Sequence, residues 1–204
     1  MKENKWADVV NALLVLLWLA AMGAYLVLGR TIPLADHYEI GCWVDDLVPF
    51  VAAFVIPYVF WYVGLFYTAW HCLRREKKLF RKFMGYNLLC YAVAIAVFIL
   101  FPTSIAFRPA VAGGDVFSLL VGLIYIFDKP TNVLPSLHVL LSLGIAYTLP
   151  RTKKWGKWWG KLLWWTVALA ICASTVLIKQ HSVLDILAAI PISCIGYLIF
   201  FVKK

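Results

Sequence analysis

The chain has 204 residues, 64% of them hydrophobic and 14% charged, with a mean hydropathy of +0.86. A soluble domain carries about a quarter charged residues, so this composition excludes one and points to an integral membrane protein. The formal net charge of +9 sits mostly in short loops between apolar runs, which reads as membrane topology and excludes a nucleic-acid footprint.

The first apolar run, residues 9–28, follows Lys2 and Lys5. At about 20 residues it is long enough to span and too long for a typical signal-peptide core, so it reads as an uncleaved signal anchor. Residues 30–47 carry Asp36, Glu39, Asp45 and Asp46 against Arg30, as expected of a solvated outer loop. A second span covers residues 48–70, where Pro49 at the start and Pro57 inside predict a kink. The next loop holds Arg74, Arg75, Lys77, Lys78, Arg81 and Lys82 against Glu76. A third span covers residues 83–100. The following segment, FPTSIAFRP and then Gly113 and Gly114, leads to an apolar run at 116–127 between Asp115 and Asp128. That run is too short to cross as a helix, so it is expected to be interfacial or re-entrant. Spans four, five and six follow at 135–149, 162–178 and 183–202. The loop RTKKWGKWWGK between the fourth and fifth mixes Arg151, Lys153, Lys154, Lys157 and Lys161 with Trp155, Trp158 and Trp159, which marks a headgroup layer. The expected fold is an all-α polytopic membrane protein of six transmembrane helices, one integral membrane domain over 1–204. Ten Trp, ten Tyr and thirteen Phe suit two aromatic belts. Cys42, Cys72, Cys90, Cys172 and Cys194 lack metal-ligand spacing, which predicts neither a disulfide framework nor a zinc site.

Basic residues alternate between loops. The second and fourth loops and both termini are rich in them, whereas the others hold Arg30, then Arg108 and Lys129, then Lys179. The positive-inside rule then places both termini in the cytoplasm. It also gathers Arg108, Ser136, His138, Lys179 and His181 on the outer side, although they span some seventy positions of sequence.

The chemistry concentrates at residues 129–139, KPTNVLPSLHV. Pro135 suits the first helical position, Asn132 is a possible cap, and Ser136 and His138 fall in the first turn. A helix start attracts anions through its free N–H groups and its dipole. His181 and Asp185, four apart, can touch on one helix face, and the carboxylate would fix the ring tautomer. Arg108 in a charge-poor loop suits bidentate binding of phosphate. Two His, an Asp, an Arg, a Lys and a Ser-bearing helix start point to phosphoryl transfer, with one His as nucleophile and the other as acid. A metal site built from His138, His181 and Asp185 is the rival reading.

These residues resemble the type 2 phosphatidic acid phosphatase superfamily, particularly its branch of inositol phosphorylceramide and sphingomyelin synthases. Its first signature is Lys, six residues, Arg-Pro; Arg108 and Pro109 match and Phe101 stands at the Lys position. Its second is Pro-Ser-Gly-His; Pro135, Ser136 and His138 match, with Leu137 for Gly. Its third is Ser-Arg, five residues, His, three residues, Asp; Ser174, His181 and Asp185 match, with Thr175 for Arg. The resemblance implies that His181 is a nucleophile forming a phosphohistidine, that Asp185 orients it, and that His138 protonates the leaving group. Arg108, Ser136, Lys179 and Asn132 would hold the phosphate, Lys179 sharing a helix face with Thr175 and replacing the absent Arg. No metal or other cofactor is implied. The expected partners are a lipid phosphate and the bilayer, with no nucleic acid. Hydrolysis of a lipid phosphate monoester or diphosphate leads, and transfer of a phosphoryl headgroup to an alcohol is the alternative. A channel or transporter is disfavoured, because the ionisable residues cluster at one face instead of lining a path.

Overall fold

Backbone placed in lipid must satisfy its own hydrogen bonds, and helices do so within one segment. The computed structural model describes residues 5–31, 33, 36–111 and 114–202. Among these, eight α-helices follow in chain order: α1 (Lys5–Thr31), α2 (Trp43–Leu47), α3 (Val55–Arg75), α4 (Lys77–Leu100), α5 (Val116–Phe127), α6 (Leu137–Thr148), α7 (Trp158–Leu177) and α8 (Val183–Tyr197). Two short strands, β1 (Tyr38–Glu39) and β2 (Thr103–Ser104), pair in parallel.

The all-α polytopic fold is the expected one. Among the described residues, five segments are long and apolar enough to cross a membrane: Lys5–Thr31, Ala52–Arg75, Lys77–Leu100, Trp158–Leu177 and Val183–Val202. The remaining expected span, the fourth, is α6, which has only 12 residues, or about 18 Å of helix. Every residue of α6 except Leu143 is buried, because α3, α4, α7 and α8 surround it. A helix enclosed by protein need not match the thickness of lipid. Close approach depends on two glycines. A Cβ on Gly144 of α6 would lie 2.7 Å from the Tyr86 ring of α4, and one on Gly196 of α8 would lie 2.8 Å from it. Tyr86 is thereby clamped between two backbones, and its hydroxyl reaches Leu140 O and Ser193 Oγ, each at 2.8 Å.

The second span differs from expectation at its start. Residues 48–51 are irregular, a 3₁₀ turn follows at Ala52–Phe54, and α3 begins only at Val55. Pro57 therefore lies in the first turn of α3, where its missing N–H has no intrahelical partner to lose, and the cause of the expected kink is removed. The third span starts earlier than expected: α4 begins at Lys77, so most of the basic loop is its first two turns. The short apolar helix expected before α6 is α5. Asp115 caps it by accepting from Phe117 N at 2.8 Å and Ser118 N at 3.1 Å. Its Val121 packs with Val55, Tyr58 and Ile178, while Leu119, Leu123, Ile126 and Phe127 face outward.

The bundle has two unlike ends. At one, Lys77 pairs with Asp8 at 2.7 Å and Lys153 N donates to Glu76 Oε1 at 3.1 Å, which brings the two basic loops together beside the start of α1. At the other, β1 and β2 tie the loops before α2 and after α4, and Asn132 N donates to Thr103 O at 2.6 Å. The starts of α6 and α8 lie under this woven cap.

Candidate active site

Between α7 and α8 the chain turns sharply, with Lys179 at φ 55°. Gln180 N and His181 N both donate to Thr175 O, at 2.9 and 3.0 Å. Ser182 then caps α8, and Asp185 in its first turn returns Oδ2 to Ser182 N at 3.0 Å. The same oxygen accepts from His181 Nδ1 at 3.0 Å. Val133 O is the second partner of that nitrogen, at 3.1 Å. Both partners only accept, so Nδ1 carries a proton, and in the neutral ring Nε2 is then the nitrogen with the lone pair. The capping geometry of one helix thus sets the tautomer of a histidine.

His138 enters from the first turn of α6. Ser136 is the cap of that helix, accepting from Val139 N at 3.4 Å, and its own N–H donates to Asp185 O at 3.3 Å. Two sequence expectations shift here. Pro135 precedes the cap instead of opening the helix, and Asn132 does not cap it. The His138 ring stacks on Tyr58 at 4.3 Å and leans on Trp61 at 4.4 Å. It meets the His181 ring nearly edge-on, with centroids 5.7 Å apart. His138 Nε2 is buried without a hydrogen-bond partner.

Arg108 reaches the same end from the loop after β2. Its Nη1 donates to Asp128 O at 2.9 Å, its Nη2 contacts Gln180 Oε1, and its guanidinium lies 4.7 Å over the Tyr125 ring. Burial pulls its pKa below the ordinary value, and the Asp128 carboxylate opposes that pull. Arg108 Nε is buried and unpartnered, as are Asn132 Nδ2 and Oδ1. Asn132 is 2% exposed and holds φ 56°.

Lys179 takes a different place from the one expected. α7 ends at Leu177, so Lys179 and Thr175 do not share a helix face. Its Nζ donates to Asp45 O at 2.6 Å and Val48 O at 2.5 Å, and these carbonyls engage the ammonium. Thr175 Oγ1 donates to Cys172 O at 2.7 Å.

Several residues here were missed by sequence reasoning. Asp45, expected in a solvated loop, is 3% exposed. Its carboxylate accepts from Ser182 Oγ at 2.6 Å and Val183 N at 2.8 Å, adding a second acid to the start of α8. Burial works against its ionisation, yet hydrogen bonds from Ser182, Val183 and Cys42 hold its carboxyl below the usual range. Tyr58, Trp61 and Gln180 were also missed; an aromatic within an apolar run or a polar residue in a turn carries no local signal of a site. The geometry so far is two facing imidazoles, one oriented by a carboxylate, beside a half-buried guanidinium.

The PAP2 superfamily profile matches residues 42–199, and so takes in every residue of this geometry. The chain belongs to the PAP2 superfamily. No curated protein and no solved structure matches it. As a PAP2 protein it is a membrane lipid enzyme of the phosphatase or phosphotransferase type. The match begins within the acidic loop and omits α1, which packs on the outside of the bundle against α4.

Proposed function

We propose that this PAP2 enzyme hydrolyses a lipid phosphate monoester or diphosphate through a phosphohistidine on His181. The observation that carries the reading is the pair of facing imidazoles, with His181 Nδ1 pinned by Asp185 and Nε2 left with its lone pair. In the first step Nε2 attacks phosphorus, the P–O bond to the lipid breaks, and protonated His138 gives its proton to the leaving oxygen. In the second, His138 takes a proton from water, whose oxygen attacks phosphorus and releases phosphate with His181 restored. Arg108, Asn132 and the start of α6 at Ser136 hold the phosphoryl oxygens. The site faces the extracytoplasmic side, a reading supported by the gathering of both basic loops at the other end of the bundle.

A second reading, transfer of a phosphoryl headgroup to an alcohol, is favoured by the charge of the site. With Lys179 Nζ engaged by two carbonyls, Arg108, bonded to Gln180 directly before His181, remains as the cation to meet the phosphate. One guanidinium balances a singly charged phosphodiester better than a dianionic monoester. Purified protein incubated with a phosphorus-labelled lipid, with and without candidate alcohols, decides between them. Free phosphate alone supports hydrolysis, labelled alcohol supports transfer, and no acid-labile label on His181 sinks both. Chelators are expected to leave turnover unchanged and vanadate to inhibit it. Cysteine substitutions beside Arg108 should react with impermeant reagents from outside, and labelling only near the basic loops would overturn the orientation.

A further inference from the structure

One polar side chain at this end has no part in the scheme above. Gln180 is 1% exposed, lies directly before His181, and has a buried Nε2 with no hydrogen-bond partner. Its orientation follows from its neighbour. Arg108 Nη2 contacts Gln180 Oε1, and a guanidinium can only donate, so the carbonyl faces Arg108 and the NH₂ is turned away from it. The backbone on both sides is held: Gln180 N and His181 N share Thr175 O, and Tyr125 Oη donates to Ile178 O at 2.7 Å. The turn that carries His181 therefore holds the Gln180 backbone in place, and the contact with Arg108 holds its amide.

An unpartnered buried donor is costly unless something accepts from it. Gln180 Nε2 is not alone in this condition. Arg108 Nε and Asn132 Nδ2 share it. Both are linked to the same histidine, Arg108 through Gln180 and Asn132 through its chain neighbour Val133, whose carbonyl bonds His181 Nδ1. Three buried donors without partners, each tied to His181 through the chain or a bonded neighbour and two of them neutral amides, suit an oxyanion with several lone pairs.

We propose that Gln180, through Nε2, is an anion-binding residue of this site, donating to a phosphoryl oxygen of the group attached to or leaving His181. This rests on the phosphoryl-transfer reading. A neutral amide holds an oxyanion by direction and not by charge, so the site orients the phosphoryl group without adding a second cation.

The test uses the full-length protein in detergent with inorganic phosphate as the probe, its affinity read from stabilisation against heating. Two near-isosteric variants are needed. Gln180→Met removes the donor, and Gln180→Glu removes it while keeping an acceptor for Arg108, so its melt without phosphate stays near wild type. Gln180→Met is expected to weaken phosphate about tenfold and Gln180→Glu more, since a carboxylate then faces the anion. Wild-type affinity in both variants, or no phosphate binding by the wild type, overturns the proposal. The two readings fail separately. Phosphate binding that weakens in the variants, with no label ever reaching His181, removes the phosphohistidine and leaves Gln180 its role. Normal turnover with unchanged phosphate binding does the reverse.

Discussion

The two ends of the bundle handle charge in opposite ways. The basic end has many cations, and they are exposed: Lys77 and Asp8 pair with side chains 47% accessible. Trp158, at the start of α7, is 75% exposed. This end also has a cavity of about 640 Å³ lined by Arg151, Lys161, Trp165 and Tyr197, so open volume does not mark the chemistry. The histidine end encloses the charges of its site: Asp185 is fully buried and His138 and His181 nearly so. Exposed charges orient a protein in a membrane with little energy in any single pair. Enclosed ones persist only when each is held in place, and there charge can do chemical work.

If that contrast is right, substitutions at the histidine end are severe and those at the basic end mild. The largest effect is expected of His181→Ala, which removes the covalent route and should abolish measurable turnover. Asp185→Asn leaves the ring but loses its orienting charge, and a small residual rate of about 10⁻⁴ of wild type is expected. Full activity in His181→Ala would end the comparison. Arg108→Ala comes next, with turnover down about 10²–10³-fold, or roughly 2.7–4 kcal/mol of transition-state stabilisation. Arg108→Lys should recover little, because an ammonium cannot reproduce the planar contacts to Asp128 O and Gln180. Steady-state kinetics on one lipid phosphate checks both.

Lys179 sharpens the comparison, since it is a cation of the histidine end that serves the fold. Lys179→Met breaks two charge-assisted bonds that join the α7–α8 turn to the carbonyls of Asp45 and Val48. It should lower the melting temperature by several degrees. Thr175→Arg should not rescue it, because Thr175 is fully buried. Recovery of turnover by that double mutant would place the ammonium on the phosphate after all.

Asp45 offers a smaller effect that depends on pH. Its folded carboxyl lies below the ordinary range, so its contribution is present above the unfolded value of about 3.9 and lost as pH falls through the lower folded value. The gap in melting temperature between wild type and Asp45→Asn should therefore be open at neutral pH and close in acid. A gap that stays constant would show that shape, and not ionisation, holds Ser182 and Val183. The smallest effect belongs to Lys77→Gln. An exposed pair contributes about 0.2–1 kcal/mol, so turnover should stay within about twofold and the melting temperature should barely move.

Much of this was legible in the sequence, for a physical reason. Lipid imposes long apolar runs and internal hydrogen bonding, so the helical class, five crossing segments and the short helix before α6 follow from composition and length. The contact of His181 with Asp185 was legible too, because four residues make one helical turn. What only the tertiary structure decided lies where partners are far apart in the chain. Asp45 reaches Ser182 across 137 positions, and Tyr58 meets His138 from another helix. Neither pair leaves a periodic trace. Lys179 shows the same limit from the other side. Its spacing from Thr175 implied a shared face only if α7 continued, and the chain instead turned at φ 55°, giving the ammonium to carbonyls of α2 and the residue after it. Local spacing determines a contact only while one element carries both residues; beyond its end, packing chooses the partner.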